Sequence, residues 1–128
     1  MSRTVTMSDA SRVAYWQQRQ VEVKKRNQGL AKQARQDARQ IAAFLAKHYG
    51  VQKVVLFGSL ATGPFTADSD IDLAVAGLPV ADFFQAYGEL MALSDFIIDL
   101  KPLEKVDPHF YQRVMTQGEV IYEAIHSG

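Results

Sequence analysis

No cysteine occurs among the 128 residues. Disulfides, thiolate catalysis and cysteine-ligated zinc are therefore excluded. Histidine is scarce: His48, His109 and His126 are scattered and read as helix-end or tail residues rather than ligands. No apolar run approaches the ~20 residues of a membrane-crossing helix. The N-terminus lacks the apolar core of a secretory signal, so an intracellular, cytoplasmic protein is expected. Repeats and low-complexity segments are missing too. What remains is an ordinary composition, 48% hydrophobic and 22% charged, in a chain long enough for one domain with a real core.

Net charge is also absent, but the zero conceals a split. Residues 1–50 carry ten Lys and Arg against Asp9, Glu22 and Asp37, a net +7, whereas residues 51–128 carry four basic and eleven acidic residues, a net −7. Such a division suggests a basic surface turned to a partner and an acidic site turned to a metal.

The basic part reads as helix from about Ser8 to Tyr49, after seven residues expected to be disordered. Ser8 or Asp9 is the candidate N-cap, and Gly50 is the candidate stop. Leu30, Ala34, Ala38, Ile41 and Leu45 recur at three- and four-residue steps, the spacing of a buried helical face. Further up, Val13, Trp16 and Val23 share a face that Gln20 and Asn27 interrupt, and Gly29 weakens the helix. Two helices or one kinked helix, with a boundary near Asn27–Gly29, are expected. Tyr15 and Trp16 admit three readings: packing on the domain's own surface, a protein interface, or RNA binding. The last is the least favoured, because no RNA-binding motif accompanies them.

The stretch from Gly58 to Leu73, GSLATGPFTADSDIDL, organises the rest. A Gly-Ser pair follows the apolar run Val54–Phe57, as at a turn from a strand into a short helix. There glycine permits close backbone approach, and the first N–H groups face an anion. Ten residues after Ser59 come Asp70 and Asp72, placed by the period of two on one face of a second strand. Two carboxylates so close repel each other unless a cation joins them, and carboxylates beside phosphates are the Mg²⁺ pattern.

Downstream, Gly77-Leu78-Pro79 ends that strand. Phe83, Phe84, Tyr87, Leu90 and Met91 form a helical stripe read as core. Phe96 to Leu100 reads as a third strand containing Asp99, whose partner is either a lysine (Lys101 or Lys105) or a shared metal. Asp107-Pro108 opens a last helix with Phe110, Val114 and Met115 on its buried side, closed by Gly118. Val120-Ile121-Tyr122 reads as a final strand. The order gives an α/β (α+β) fold with a small mixed sheet of about four strands covered by helices.

The Gly58-Ser59 pair, the ten-residue spacing and Asp70-x-Asp72 resemble the G-S-x10-D-x-D motif of the polymerase β nucleotidyltransferase superfamily, and in particular its minimal, single-domain branch (MNT proteins). The likeness of element order covers roughly Val51 to Tyr122. Charge and helical pattern give a basic helical extension over residues 1–49, packed on or docking beside the core, and the resemblance implies that the core, residues 50–128, is a minimal nucleotidyltransferase. It implies Asp70, Asp72 and Asp99 as catalytic and metal-binding residues with two Mg²⁺ ions, and Gly58, Ser59 and Ser69 as nucleotide-binding residues with ATP as substrate. Family members commonly carry arginines just after the Gly-Ser pair, where this chain has Leu60-Ala61-Thr62.

MNT proteins often act as antitoxins of HEPN-domain toxins. The resemblance thus implies transfer of AMP from ATP to a tyrosine hydroxyl of a cognate HEPN RNase, which silences it. The alternatives are an antitoxin that inhibits its toxin by steric binding alone, and a small-molecule nucleotidyltransferase of the antibiotic-modifying kind. Neither membrane association nor direct nucleic-acid binding is expected.

Overall fold

The computed structural model describes residues 9–125. The expectations for the first seven residues, for a cap at Ser8 and for His126 lie outside the described residues. The elements run α1 (Asp9–Tyr49), β1 (Lys53–Phe57), α2 (Ser59–Thr62), β2 (Ile71–Ala76), α3 (Phe83–Met91), β3 (Ile98–Pro102), α4 (Pro108–Gln117) and β4 (Glu119–Glu123), with single 3₁₀ turns before α3 and after β3. The four strands form one mixed sheet in the order β3-β2-β1-β4. β1 pairs antiparallel with β2 and β4, while β2 and β3 run parallel.

Alternation along the strands divides the buried side chains between the two faces. Val54 and Leu56 of β1, Ile71, Leu73 and Val75 of β2, and Ile98 and Leu100 of β3 enter the main core. There they meet Ala34, Ala38, Ile41 and Leu45 of α1 and Ala86 and Leu90 of α3. On the opposite face Val55 and Ala74 meet Val114 of α4 and Leu103 in a smaller cluster. Asp72 lies two residues from Ala74, so it belongs to this second, thinly covered face. That parity leaves room for a polar site.

α1 is one unbroken helix of 41 residues, without the boundary expected at Asn27–Gly29. Its second half is anchored in the core, and a helix extends from such an anchor at the cost of one residue per new hydrogen bond. A Cβ at Gly29 would meet nothing within 4 Å, so the glycine faces open space. Gly50, at φ 63°, ends the helix as expected. Tyr49 Oη donates a hydrogen bond to Glu89 Oε1, which ties that end to α3.

Asp37 is buried in α1, where Gln33 Nε2 donates to Oδ1 at 2.9 Å and Ser94 Oγ to Oδ2 at 2.7 Å. Its first four turns are unsupported by the core. Tyr15 and Trp16, 49% and 58% exposed, touch each other edge to face rather than packing onto the domain.

Two further expectations shift. Phe84 is 85% exposed and Met91 47%, so the α3 stripe is core only at Ala86 and Leu90, with Phe83 and Tyr87 half-buried. The face that meets the sheet runs 83-86-87-90, and Phe84 and Met91 fall one residue off it. β3 begins at Ile98 rather than Phe96. Phe96 instead stacks edge to face on Phe65, ring centres 5.5 Å apart. α4 opens as expected: Asp107 Oδ1 accepts from the Phe110 N–H at 2.9 Å, with Pro108 in the first turn.

Candidate functional site

The parallel register sets Asp72 of β2 directly opposite Asp99 of β3, as Leu73 is opposite Leu100. On the other side Asp72 is opposite Phe57, the last residue of β1. The chain then turns at Gly58, with φ 72° and ψ −154°, into the single turn of α2. Gly58 brings its backbone against the Asp72 carboxylate: a Cβ there would lie 2.1 Å from Asp72 Oδ2. No residue with a side chain fits this backbone without displacing that carboxylate. The Gly58 carbonyl accepts from the N–H groups of Ala61 and Thr62 and from Thr62 Oγ1. The opening N–H groups of α2 have no acceptor within the helix, as at any helix start.

Electrostatics mark the same place. The Asp72 carboxyl is pushed up from 3.8 to about 6, first by burial, then by the charges of Asp99 and Asp70, with Lys101 acting in the opposite sense. Asp70 immediately precedes β2 rather than lying inside it. Asp99 Oδ1 lies 3.4 Å from Lys101 Nζ, which shares its strand face, so the lysine pairing and the proximity to Asp72 both exist. A larger concavity of about 640 Å³ lies along α1, but no carboxylate lines it.

The family described as "Polymerase beta, Nucleotidyltransferase" matches residues 39–126. The chain belongs to that family. It is 29% identical over 93 residues to a protein of Methanocaldococcus jannaschii named "Putative protein adenylyltransferase MJ0604", covering 64% of this chain and 90% of that one. Among solved structures, it resembles a toxin–antitoxin crystallised with AMP-PNP (26% identity, TM-score 0.59, 67% of this chain and 73% of that one). It also shares the fold of a chain in the complex of tri-AMPylated Shewanella oneidensis HEPN toxin with MNT antitoxin (24% identity, TM-score 0.55, 71% and 73%). The protein is thus a nucleotidyltransferase of the minimal type, structurally like the antitoxins of HEPN toxin pairs.

Of the residues expected at the nucleotidyltransferase site, Gly58, Asp72 and Asp99 meet at the ends of β1, β2 and β3, and Ser59 opens α2 beside them. Ser69 is engaged in the preceding turn: its Oγ accepts from the Thr66 N–H at 3.0 Å, and its own N–H donates to the Thr66 carbonyl. Leu60, the residue after the Gly-Ser pair, is buried in the core.

Arg113 was not singled out from the sequence, though it is one of only four basic residues after position 50. α4 places it beside Phe57, Gly58, Thr62 and Phe110 around a cavity of about 200 Å³. Its guanidinium carbon is 5.6 Å from the centre of the Phe110 ring, which is itself edge to face with Phe57. No carboxylate pairs with it among the described residues. Arg35, by contrast, is occupied, bonding Glu119 at 2.9 Å and the Leu60 carbonyl at 3.1 Å.

Among the described residues, no three acidic or histidine side chains form a ready cage for a metal ion. Mg²⁺ does not require one, because it is commonly held by one or two carboxylates together with substrate phosphates and water. Asp72, raised by burial and then by the like charges of Asp99 and Asp70, is a donor that such a cation would satisfy. Among the described residues no helix is long and apolar enough to cross a membrane.

Proposed function

We propose that this nucleotidyltransferase transfers AMP from ATP to a tyrosine hydroxyl of a cognate HEPN-type toxin and thereby neutralises it. The observation that carries the reading is the Asp72–Asp99 pair set against the Gly58 turn. Family membership and the adenylyltransferase name of the archaeal relative support it, as do the toxin–antitoxin complexes among the structural neighbours.

Gly58 and Ser59 hold the outer phosphates of ATP, with Arg113 supplying the positive charge that Leu60-Ala61-Thr62 do not. Asp70, Asp72 and Asp99 hold Mg²⁺, which when bound neutralises the triphosphate and stabilises charge on the entering and leaving oxygens. Asp99 takes the proton of the acceptor hydroxyl. The tyrosine oxygen then bonds to the α-phosphorus, the bond to the bridging oxygen breaks, and pyrophosphate leaves. No G-K-[ST] follows the glycine turn, so the chain lacks the Walker loop of γ-phosphate-transferring P-loop enzymes. General-base help is worth around 10²–10⁴-fold, which leaves the larger share to positioning and charge.

The Lys101–Asp99 contact favours a second reading, steric inhibition without chemistry, because it gives Asp99 a partner that needs no cation. Asp72 has no comparable lysine among the described ion pairs. Incubation with a candidate HEPN partner, Mg²⁺ and ATP, read by intact mass, separates the two. AMP units are expected on the partner and none with Asp99→Ala. An inhibited but unmodified partner would establish the steric reading, and added phosphate would overturn AMP transfer.

A further inference from the structure

The first half of α1 carries a pattern that its own domain does not use. Val13, Trp16, Gln20, Val23, Asn27, Leu30 and Ala34 succeed one another at alternating steps of three and four, the seam of a coiled coil. Leu30 and Ala34 pack into the core, but the same seam continues away from it with Val13 54%, Trp16 58% and Val23 38% exposed. This portion precedes residue 39, where the family match begins. Where the seam leaves the core, Trp16, Gln20, Val23 and Asn27 face Pro64 and Phe65 across the concavity of about 640 Å³.

The flanks specify what fits there. Arg12, Arg19 and Arg26, seven residues apart, form one edge of the seam, and Gln17 and Lys24 form the other. None of these five is in an ion pair among the described residues. A second copy of the helix is a poor occupant. Paired in parallel, Arg19 would face the other Lys24; paired antiparallel, arginine would face arginine. Single-stranded RNA would match the charge but not an aliphatic seam that offers one indole for stacking.

We propose that the exposed half of α1 is a docking strip for one amphipathic helix of a partner protein, apolar along its own seam and lined by Asp and Glu on both flanks. Val13 to Asn27 spans about four turns, roughly 21 Å at 1.5 Å per residue, long enough to seat two heptads. Gln20 and Asn27 occupy equivalent seam positions seven apart, where buried polar side chains select register at some cost in affinity. The partner helix therefore carries polar residues opposite them. This deepens the proposed function by naming how the protein acceptor is held, and its test reads binding rather than AMP transfer, so the two readings fail separately.

Trp16 is the single tryptophan of the chain and reports on the strip directly. The full chain is titrated with three probes: a synthetic helix with Glu flanks whose leucine seam carries Asn opposite Gln20 and Asn27, its twin with Lys flanks, and a single-stranded RNA. The Glu-flanked peptide is expected to shift Trp16 emission to shorter wavelength and bind at least tenfold more tightly than the Lys-flanked one, with affinity falling as salt rises. Combined Arg12→Glu, Arg19→Glu and Arg26→Glu, all at exposed positions, should invert that preference while circular dichroism stays unchanged. Equal binding of the two peptides, binding of neither, a shift produced by RNA alone, or a sedimenting dimer with Trp16 already shielded would overturn the proposal.

Discussion

The Asp72 carboxylate fills the space that a side chain at Gly58 would need: a Cβ there would lie 2.1 Å from Asp72 Oδ2. The positive φ of 72° at Gly58 adds conformational strain for any other residue. Gly58→Ala should therefore cost roughly 1–3 kcal/mol in urea unfolding. Because the displaced atom is the tip of a side chain, the fold should survive while nucleotide transfer falls further than stability does. A variant with full transfer activity would separate Gly58 from the site.

Asp72 makes a pH-dependent prediction. Its carboxyl, raised from 3.8 to about 6, binds its proton more tightly in the folded than in the unfolded protein. In the absence of divalent cations this group therefore costs stability as pH rises from about 4 through about 6, and the cost persists above. Asp72→Asn should make the protein more stable than its parent at pH 7 by about 1 kcal/mol, after allowance for solvent screening, with the difference vanishing near pH 4. Paired urea titrations at the two pH values check it; a pH-independent difference would contradict the electrostatic account.

The combined change Asp70→Asn and Asp72→Asn should abolish Mg²⁺-dependent ATP binding in calorimetry and leave the fold intact, since like-charge repulsion is relieved. Unchanged affinity would remove both residues from the metal assignment.

Arg113→Ala should weaken ATP binding about tenfold, the worth of one charge-assisted contact. Stability should change by less than about 0.5 kcal/mol, because the guanidinium is exposed on α4. Arg113→Lys should restore part of the affinity, as a point charge in place of a planar fork. ATP affinity insensitive to both substitutions would free Arg113 from the phosphates.

Asp37→Ala should destabilise the protein by about 1–3 kcal/mol, because the Gln33 and Ser94 donors lose a buried acceptor. Thermal unfolding measures it, and a neutral result would show that water replaces the carboxylate.

The order of elements, the buried stripe from Ala34 to Leu45, the cap at Asp107 and the family were all legible along the chain. Each depends on spacings of a few residues that a helix or strand converts directly into a shared face. The turn at Gly58 and the place of Asp72 on a strand were legible for the same reason, whereas Asp70, expected on that strand, immediately precedes it. What the linear pattern could not decide is which distant residues become neighbours.

Asp72 and Asp99, 27 positions apart, stand opposite one another only because β2 and β3 pair in parallel in one particular register. Arg113 comes beside Gly58 only because α4 lies across the second face of the sheet. Phe84 looked like core until the angle at which α3 meets the sheet left it outside. The continuity of α1 through Gly29 was likewise decided by the core, which anchors the far end of the helix and lets hydrogen bonding propagate past a weak residue. Local periodicity set which face each side chain takes; strand register and helix docking, which act across the whole domain, set what that face meets.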